Sequence, residues 1–408
     1  MPLNGYLTVA AIHDAIQHLG TTYPAICRPI SLPEFSHEQR ASQALLLGTG
    51  QNPYRQGILL IAGVHARETV NPDLLLSLAQ GLCQAYTAGT GLAFGGRSYT
   101  AEVVRALLTD LDIFVFPLVN PDGRAFVQAA GGDPMWRKNR RPIPGSACRG
   151  VDINRNYDFL WAEGFGASTD PCAETFRGTG VFSETETRNV RWLLDSYPLI
   201  GAFVDVHSFS KVILYPWTDD DSQALDASMN FRNPAYNGQR GVIGDAYREY
   251  LKQPDQAGSV TIGTRIRDAI RAVRGTTYIL KPGSQLYAWG VAATSTDYAF
   301  SRHIVAASRR KIRAFVLETG TEFQPPYGEA LEIIKEVSAG LVEFCCVLQQ
   351  CVTLAAQIAE LQAEIRDLQE ELQHASPDEK PYLTAQIKQR QNQITTLNGQ
   401  ATALGCPT

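Results

Sequence analysis

The sequence predicts an α/β layered fold with a largely buried central sheet, followed by an antiparallel helical hairpin at the C-terminal end. Three observations carry this. From residue 1 to about 335, short apolar runs alternate with amphipathic helical stretches and Gly/Pro turns, the texture of strands buried between helices. From Leu354 the apolar spacing becomes four, three, four, three, four, a heptad seam. The 408 residues, 44% hydrophobic and 19% charged, can bury a sizeable core, enough for one large domain or two ordinary ones.

The elements follow in order. Tyr6-Leu7-Thr8 leads into Ala10–Leu19, a capped first helix. Strand-like runs stand at Ile58–Val64, Ile113–Val119, Ala202–Val206, Val212–Tyr215 and Ala314–Leu317. Helical stretches fall between them, among them Pro72–Ala88 and Glu184–Leu194. The seam Leu354, Ile358, Leu361, Ile365, Leu368, Leu372 is broken at Ala375–Pro381, where two prolines interrupt it. A second seam runs Leu383, Ile387, Arg390, Ile394, Leu397, Ala401, Leu404. Folding at the break pairs Leu372 with Leu383, Leu361 with Ile394 and Leu354 with Ala401. It also brings Cys351 near Cys406. Arg390 is the one polar residue on the seam, setting register or reaching out along its stem. The hairpin reads as a stabilising appendage, with a partner-binding or self-associating stalk as the alternative.

Charge and cysteine content exclude several classes. Lys and Arg number 36 against 41 Asp and Glu, so bulk attraction to nucleic acid or an anionic membrane is not expected. No uninterrupted apolar run reaches the roughly 18–20 residues of a spanning helix, and Met1–Gly20 lacks the pattern of a secretory leader. Eight cysteines are few for this length and none form a C-x-x-C pair, which argues against a disulfide scaffold or a thiolate zinc knuckle.

Four short stretches carry chemistry. In Gly63-Val64-His65-Ala66-Arg67-Glu68, an imidazole and a carboxylate three apart on one turn can aim at one point; the plain alternative is a local His65–Glu68 pair. His207 ends the apolar run of Val204-Asp205-Val206-His207-Ser208. His65 and His207 are the two histidines at strand ends, and with Glu68 they make a His₂Glu set with a fourth position open, a catalytic zinc pattern. In Gly150–Tyr157, Asn154 and Arg155 can grip a carboxylate, and Asp152 is placed to hold a ligating histidine. Phe315–Gly320 ends in Glu318, a carboxylate able to take a proton from water.

These stretches, in this order, resemble the zinc metallocarboxypeptidases of the pancreatic carboxypeptidase A/B type and bacterial relatives such as carboxypeptidase T. The resemblance spans roughly residues 6–335. It is carried by Gly63–Glu68, Asn120-Pro121-Asp122-Gly123, Met135-Trp136-Arg137-Lys138, Gly150–Asn156, Asp205–Ser208, Leu214-Tyr215-Pro216 and Leu317–Pro326. It implies a mixed, mostly parallel sheet of about eight strands in a catalytic domain over 1–340, with the coiled-coil hairpin over 341–408. It further implies one Zn²⁺ held by His65, Glu68 and His207. Glu318 would be the general base, Arg137 the oxyanion stabiliser, Asn154, Arg155 and Tyr287 the grip on the terminal carboxylate, and Arg67 an upstream contact. Glu322 stays open as a second candidate base, because Thr319–Phe323 departs from the pancreatic pattern. Cys148 and Cys172 match a disulfide of pancreatic members.

The implied activity is hydrolysis of the C-terminal bond of a peptide or protein by a zinc-activated water. The family's specificity position falls at Thr296, which suggests neutral or apolar C-terminal residues. A segment over 219–262 looks longer than in pancreatic members and would form loops over the cleft. A zinc amidase acting on bacterial cell-wall peptides uses the same machinery, and a catalytically silent binding module is the other reading. The address is divided: the missing leader points to the cytoplasm, the Cys148/Cys172 match to export.

Overall fold

The computed structural model describes residues 5–407. The strands are β1 Cys27–Ser31, β2 Gln43–Leu47, β3 Gln56–Ala62, the small hairpin β4 Leu92–Phe94 and β5 Arg97–Tyr99, and β6 Leu111–Phe116. After them come β7 Ile200–Ser208, β8 Val212–Tyr215, the short pair β9 Ser222–Gln223 and β10 Glu249–Tyr250, β11 Ile279–Pro282 and β12 Arg313–Thr319. The helices are α1 Val9–Thr22, α2 Val70–Ala88, α3 Ala101–Asp110, α4 Pro121–Gln128, α5 Thr185–Ser196, α6 Gln253–Arg274, α7 Ser295–Val305, α8 Tyr327–His374 and α9 Lys380–Leu404.

Eight strands form one mixed sheet in the order β1-β2-β6-β3-β7-β12-β8-β11. Its centre, β6-β3-β7-β12, is parallel throughout. Alternation along β3 splits the core in two. Ile58, Leu60 and Ala62 face a cluster built with α2, α6 and α8 residues such as Leu74, Ile266 and Leu341. Leu59 and Ile61 face the opposite cluster, with Val190 and Leu193 of α5 and Phe300 of α7. The central strands are buried on both faces, which is why they read as continuous apolar runs.

The expected division at 340/341 falls inside α8, one unbroken helix. Its first half is core: Val337, Leu341, Phe344 and Leu348 are buried. Gly340 lets α8 cross α6 closely, since a Cβ there would stand 2.8 Å from Ile270 Cγ1. The helix also holds an 18-residue window of mean hydropathy 1.6, apolar enough by composition to cross a membrane although no uninterrupted run is that long. In the fold 61% of that window is buried against the protein's own core.

Beyond Val352 the helix leaves the body, turns after His374 and returns as α9. Leu354, Ala401, Leu404, Cys351 and Cys406 cluster at the base, where Cys351 and Cys406 are bonded. Arg390 reaches across the hairpin, its Nε donating to Glu364 Oε2 at 2.9 Å. The returning end is tied to the sheet by Arg313 of β12, whose Nε donates to Gly405 O at 2.8 Å.

Candidate functional site

The parallel centre of the sheet places three segments at one edge. β3 ends at Ala62, and Gly63 turns the chain at φ +65°, a conformation only glycine adopts without strain. The turn delivers His65 and Glu68 just before α2 begins. β7 runs parallel to β3 and carries His207 at its end. β12 pairs with β7 so that Glu318 stands opposite His207. Strand C-termini in a parallel sheet open onto a common crevice, and here that crevice collects the polar groups.

His65, Glu68 and His207 are buried, with one ligand atom from each within 4.8 Å of the others. His65 Nδ1 lies 2.8 Å from Glu68 Oε1, and His207 Nδ1 lies 3.1 Å from Glu68 Oε2 and 3.1 Å from His65 Nδ1. The two Nδ1 atoms and the carboxylate therefore converge. Each Nε2 faces a carboxylate on the far side: His65 toward Asp152 Oδ1 at 3.1 Å, His207 toward Asp205 Oδ2 at 3.0 Å. The second contact is close but not aligned as a hydrogen bond. A carboxylate behind Nε2 holds the proton there and leaves Nδ1 as a lone-pair donor. The arrangement fits a zinc ion with three protein ligands and one open position.

Burial and neighbouring charge shift these groups in different directions. The two imidazoles hold Glu68 well below the usual carboxylate range despite its burial. The guanidinium groups of Arg137 and Arg155 do the same for Asp152, with His65 adding to them. The carboxylates Asp205 and Glu68 raise His207 well above an ordinary histidine. Burial, reinforced by Glu68, pushes Glu318 up to about 8 against the opposing pull of His207 and Arg137.

The crevice is a cavity of about 410 Å³ lined in part by His65, Glu68, Arg137, Asn154, Arg155, Tyr287 and Glu318. Arg137 donates to Asp152 Oδ2 through Nε at 3.1 Å and Nη2 at 2.9 Å. Arg155 gives Nε to Gly166 O and Nη1 to Asn154 O. Asn154 accepts from Ser295 N at 2.8 Å through its Oδ1, which turns its amide nitrogen away from that bond. Tyr287 is 46% exposed and stacks on Trp289 at 5.7 Å. Arg67 lies over the Phe323 ring at 4.4 Å and donates to Glu174. Eight of the nine anticipated residues thus line this crevice; the ninth, His207, is buried against His65 and Glu68, and Asp152 lies behind them. Glu322 is exposed and does not line it.

Some features went unread in the sequence. Asp205 is i−2 to His207, so both side chains share one face of β7; the Asp-x-His spacing was its signal. Ser295 Oγ donates to Asp205 at 2.6 Å. The side pocket is lined by Leu214, Thr218, Leu286, Val291, Thr294 and Val316. Thr294 rather than the expected Thr296 faces it, because Thr296 lies one residue inside α7 and is turned into the body. Within the 219–262 segment, Asp219 and Asp220 are fully buried, not solvent-facing loop. Cys148 and Cys172 are bonded.

A family model described as zinc carboxypeptidase matches residues 12–340. Carboxypeptidase A2 of Rattus norvegicus is 34% identical over 226 residues, 54% of this chain and 50% of its own length. Metallocarboxypeptidase A of Trichophyton equinum is 29% identical over 313 residues, 75% of this chain and 63% of its own. The chain spans about half the length of several curated relatives it matches. Among solved structures, bovine thrombin-activatable fibrinolysis inhibitor in complex with tick carboxypeptidase inhibitor aligns with a TM-score of 0.64 at 22% identity, covering 84% of this chain and 97% of that one. Carboxypeptidase A from Helicoverpa armigera aligns with a TM-score of 0.62 at 21% identity, covering 85% and 75%. At that identity these two likenesses speak for the fold.

Proposed function

The chain belongs to the zinc carboxypeptidase family, and from that premise we propose that it is a metallo-exopeptidase removing the C-terminal residue of peptides or proteins. The observation that carries this is the convergence of His65 Nδ1, His207 Nδ1 and the Glu68 carboxylate beside Glu318, in a crevice that also holds Arg137, Asn154 and Arg155.

His65, Glu68 and His207 would hold the zinc. When bound, zinc acts as a Lewis acid and brings the pKa of water toward neutrality. Glu318 takes the proton from the attacking water and returns it to the departing amine. Arg137, held rigid by Asp152, receives the negative charge that develops on the carbonyl oxygen. Asn154 and Arg155 bind the substrate's terminal carboxylate, and Tyr287, exposed at the rim, closes over it. Arg67 contacts the chain upstream of the cut bond. An internal peptide bond brings no carboxylate to Arg155 and leaves a buried charge unpaired, so the site reads chain ends.

The pocket walls support release of neutral or apolar residues. Leu214, Leu286, Val291 and Val316 supply apolar surface, and Thr218 and Thr294 add hydroxyls without charge. An ammonium or guanidinium buried there finds no counter-ion on those walls. The two disulfides support work in an oxidising compartment.

The test is hydrolysis of blocked dipeptides ending in Leu, Phe or Lys, each as free acid and as amide. Cleavage of the Leu and Phe acids alone, lost on chelation, is the expected result. Amide cleavage at a matching rate would remove the carboxylate grip from the reading. Preference for Lys would remove the pocket assignment while leaving the chemistry in place.

A further inference from the structure

A second group of histidine and carboxylates lies away from the crevice. His37 sits in the loop between β1 and β2, Glu184 caps the start of α5, and Glu186 lies in its first turn. One ligand atom from each stands within 4.8 Å of the others. His37 Nε2 is 3.1 Å from Glu184 Oε2. Asn139 Nδ2 donates to Glu184 Oε2 at 2.7 Å and to Glu186 Oε2 at 3.1 Å. Glu184 Oε1 is taken by Arg141 Nη1 and Ser183 Oγ, both at 2.6 Å, and Thr185 Oγ1 reaches Glu186 Oε2 at 3.1 Å.

Glu186 is 1% exposed, yet its Oε1 has no partner among the described residues. A buried acceptor left empty is costly. Two buried carboxylates here face one guanidinium. We propose that His37, Glu184 and Glu186 form a second divalent-metal site, distinct from the catalytic centre, that takes zinc or a similar borderline cation. The cation occupies the vacant side of Glu186 and balances the second carboxylate. An imidazole with two carboxylates is a nitrogen–oxygen set suited to such ions. The His37 side chain is 22% exposed, which gives the ion an entry path and room for water to complete its shell. The N-terminal dipole of α5 opposes a cation, but it amounts to about half a charge against two carboxylates.

The site would be structural. Asn139 also pairs with Val151 in both directions, N to O at 3.1 Å and Oδ1 from N at 2.8 Å. It therefore joins the segment bearing Arg137 to the one bearing Asp152, and the metal would brace that joint from behind.

Metal content after dialysis against zinc tests this. About two ions per chain are expected in the unaltered protein, and about one in His37→Ala and in Glu186→Gln. Both variants keep peptidase activity; His37 is a loop residue and the glutamine is isosteric, so folding is preserved. His65→Ala also falls to about one ion but loses peptidase activity, so loss of the catalytic site and loss of this one are told apart by activity at equal metal content. An anomalous difference map at the zinc edge should show a peak among the three side chains. A single ion in the unaltered protein under excess zinc, two ions in His37→Ala, or no peak there would overturn the proposal.

Discussion

Glu318 stands beside His207 across the parallel pairing of β12 with β7, the strand-end carboxylate against the strand-end imidazole. Two rigid, fully hydrogen-bonded strands fix this distance, so the base does not depend on a mobile loop. Burial keeps its pKa high in the metal-free site, and a bound cation will draw it down toward the working pH. Glu318→Gln preserves shape and removes the base. We expect kcat to fall about 10²–10⁴-fold with zinc content unchanged. Metal analysis beside steady-state kinetics checks both, and activity retained within a factor of a few would assign the base elsewhere.

Asp152 serves two partners at once: Oδ1 faces His65 Nε2 and Oδ2 accepts from Arg137. Its loss touches the metal and the oxyanion site together. Asp152→Asn is expected to weaken zinc binding about 10–100-fold and to lower kcat even when zinc is saturating, because Arg137 loses its anchor. Competition with a chelator gives the first quantity, and kinetics at high zinc the second. A variant restored fully by excess zinc would confine Asp152 to the metal.

How much of this was legible follows from distance along the chain. His65 and Glu68 are three residues apart, and the hairpin seam repeats within seven, so local period reveals both. The strands β1 and β2 were missed because each is five residues long, β1 with Arg28 and Pro29 inside it and β2 an apolar run too short for period to tell a strand from a helical turn. His37 could not be read, since its partners are about 150 positions away and meet it only through the loop packing on α5. Asp219 was read as loop because an acidic run ordinarily solvates itself; here Asp219, Glu249 and Asp297 are buried together. The point where α8 leaves the body has no sequence signal for a related reason: one helix serves as core element and hairpin arm, and its period does not change where its surroundings do.

The Cys351–Cys406 bond closes the hairpin at its base. In the chain-entropy view a loop of this length contributes about 4 kcal/mol by restricting the unfolded chain. The catalytic crevice is not touched by it. Cys351→Ser with Cys406→Ser should therefore lower Tm while leaving kcat/KM on small peptides within about twofold. The freed α9 should become the first site of limited proteolysis. Unchanged Tm would mean that Leu354, Ala401 and Arg313 alone hold the arm.

Asp219 lies fully buried beside Glu249 and Asp297, and burial leads the causes that raise all three. Glu249 and Asp297 are each pushed up to about 7, and Asp219 well above the usual range with Glu249 adding to the effect. Arg240 offers only partial relief through Tyr247, whose hydroxyl donates to Glu249 at 2.6 Å. A carboxyl whose folded pKa exceeds its unfolded value stabilises the fold in its protonated form. That contribution is complete below pH ~4 and is lost as pH rises through ~7, at on the order of 1.4 kcal/mol per pH unit for each proton released. The protein's Tm should therefore fall from pH ~5 to about 7, with Asp219, raised further, extending the fall toward pH ~8. Asp219→Asn keeps that position neutral at every pH and lets its amide donate to Glu249, so the fall should flatten and Tm at pH 8 should rise. Thermal melts of both proteins across this range decide it, and parallel pH slopes would show that the buried acids are neutralised by something other than shared protons.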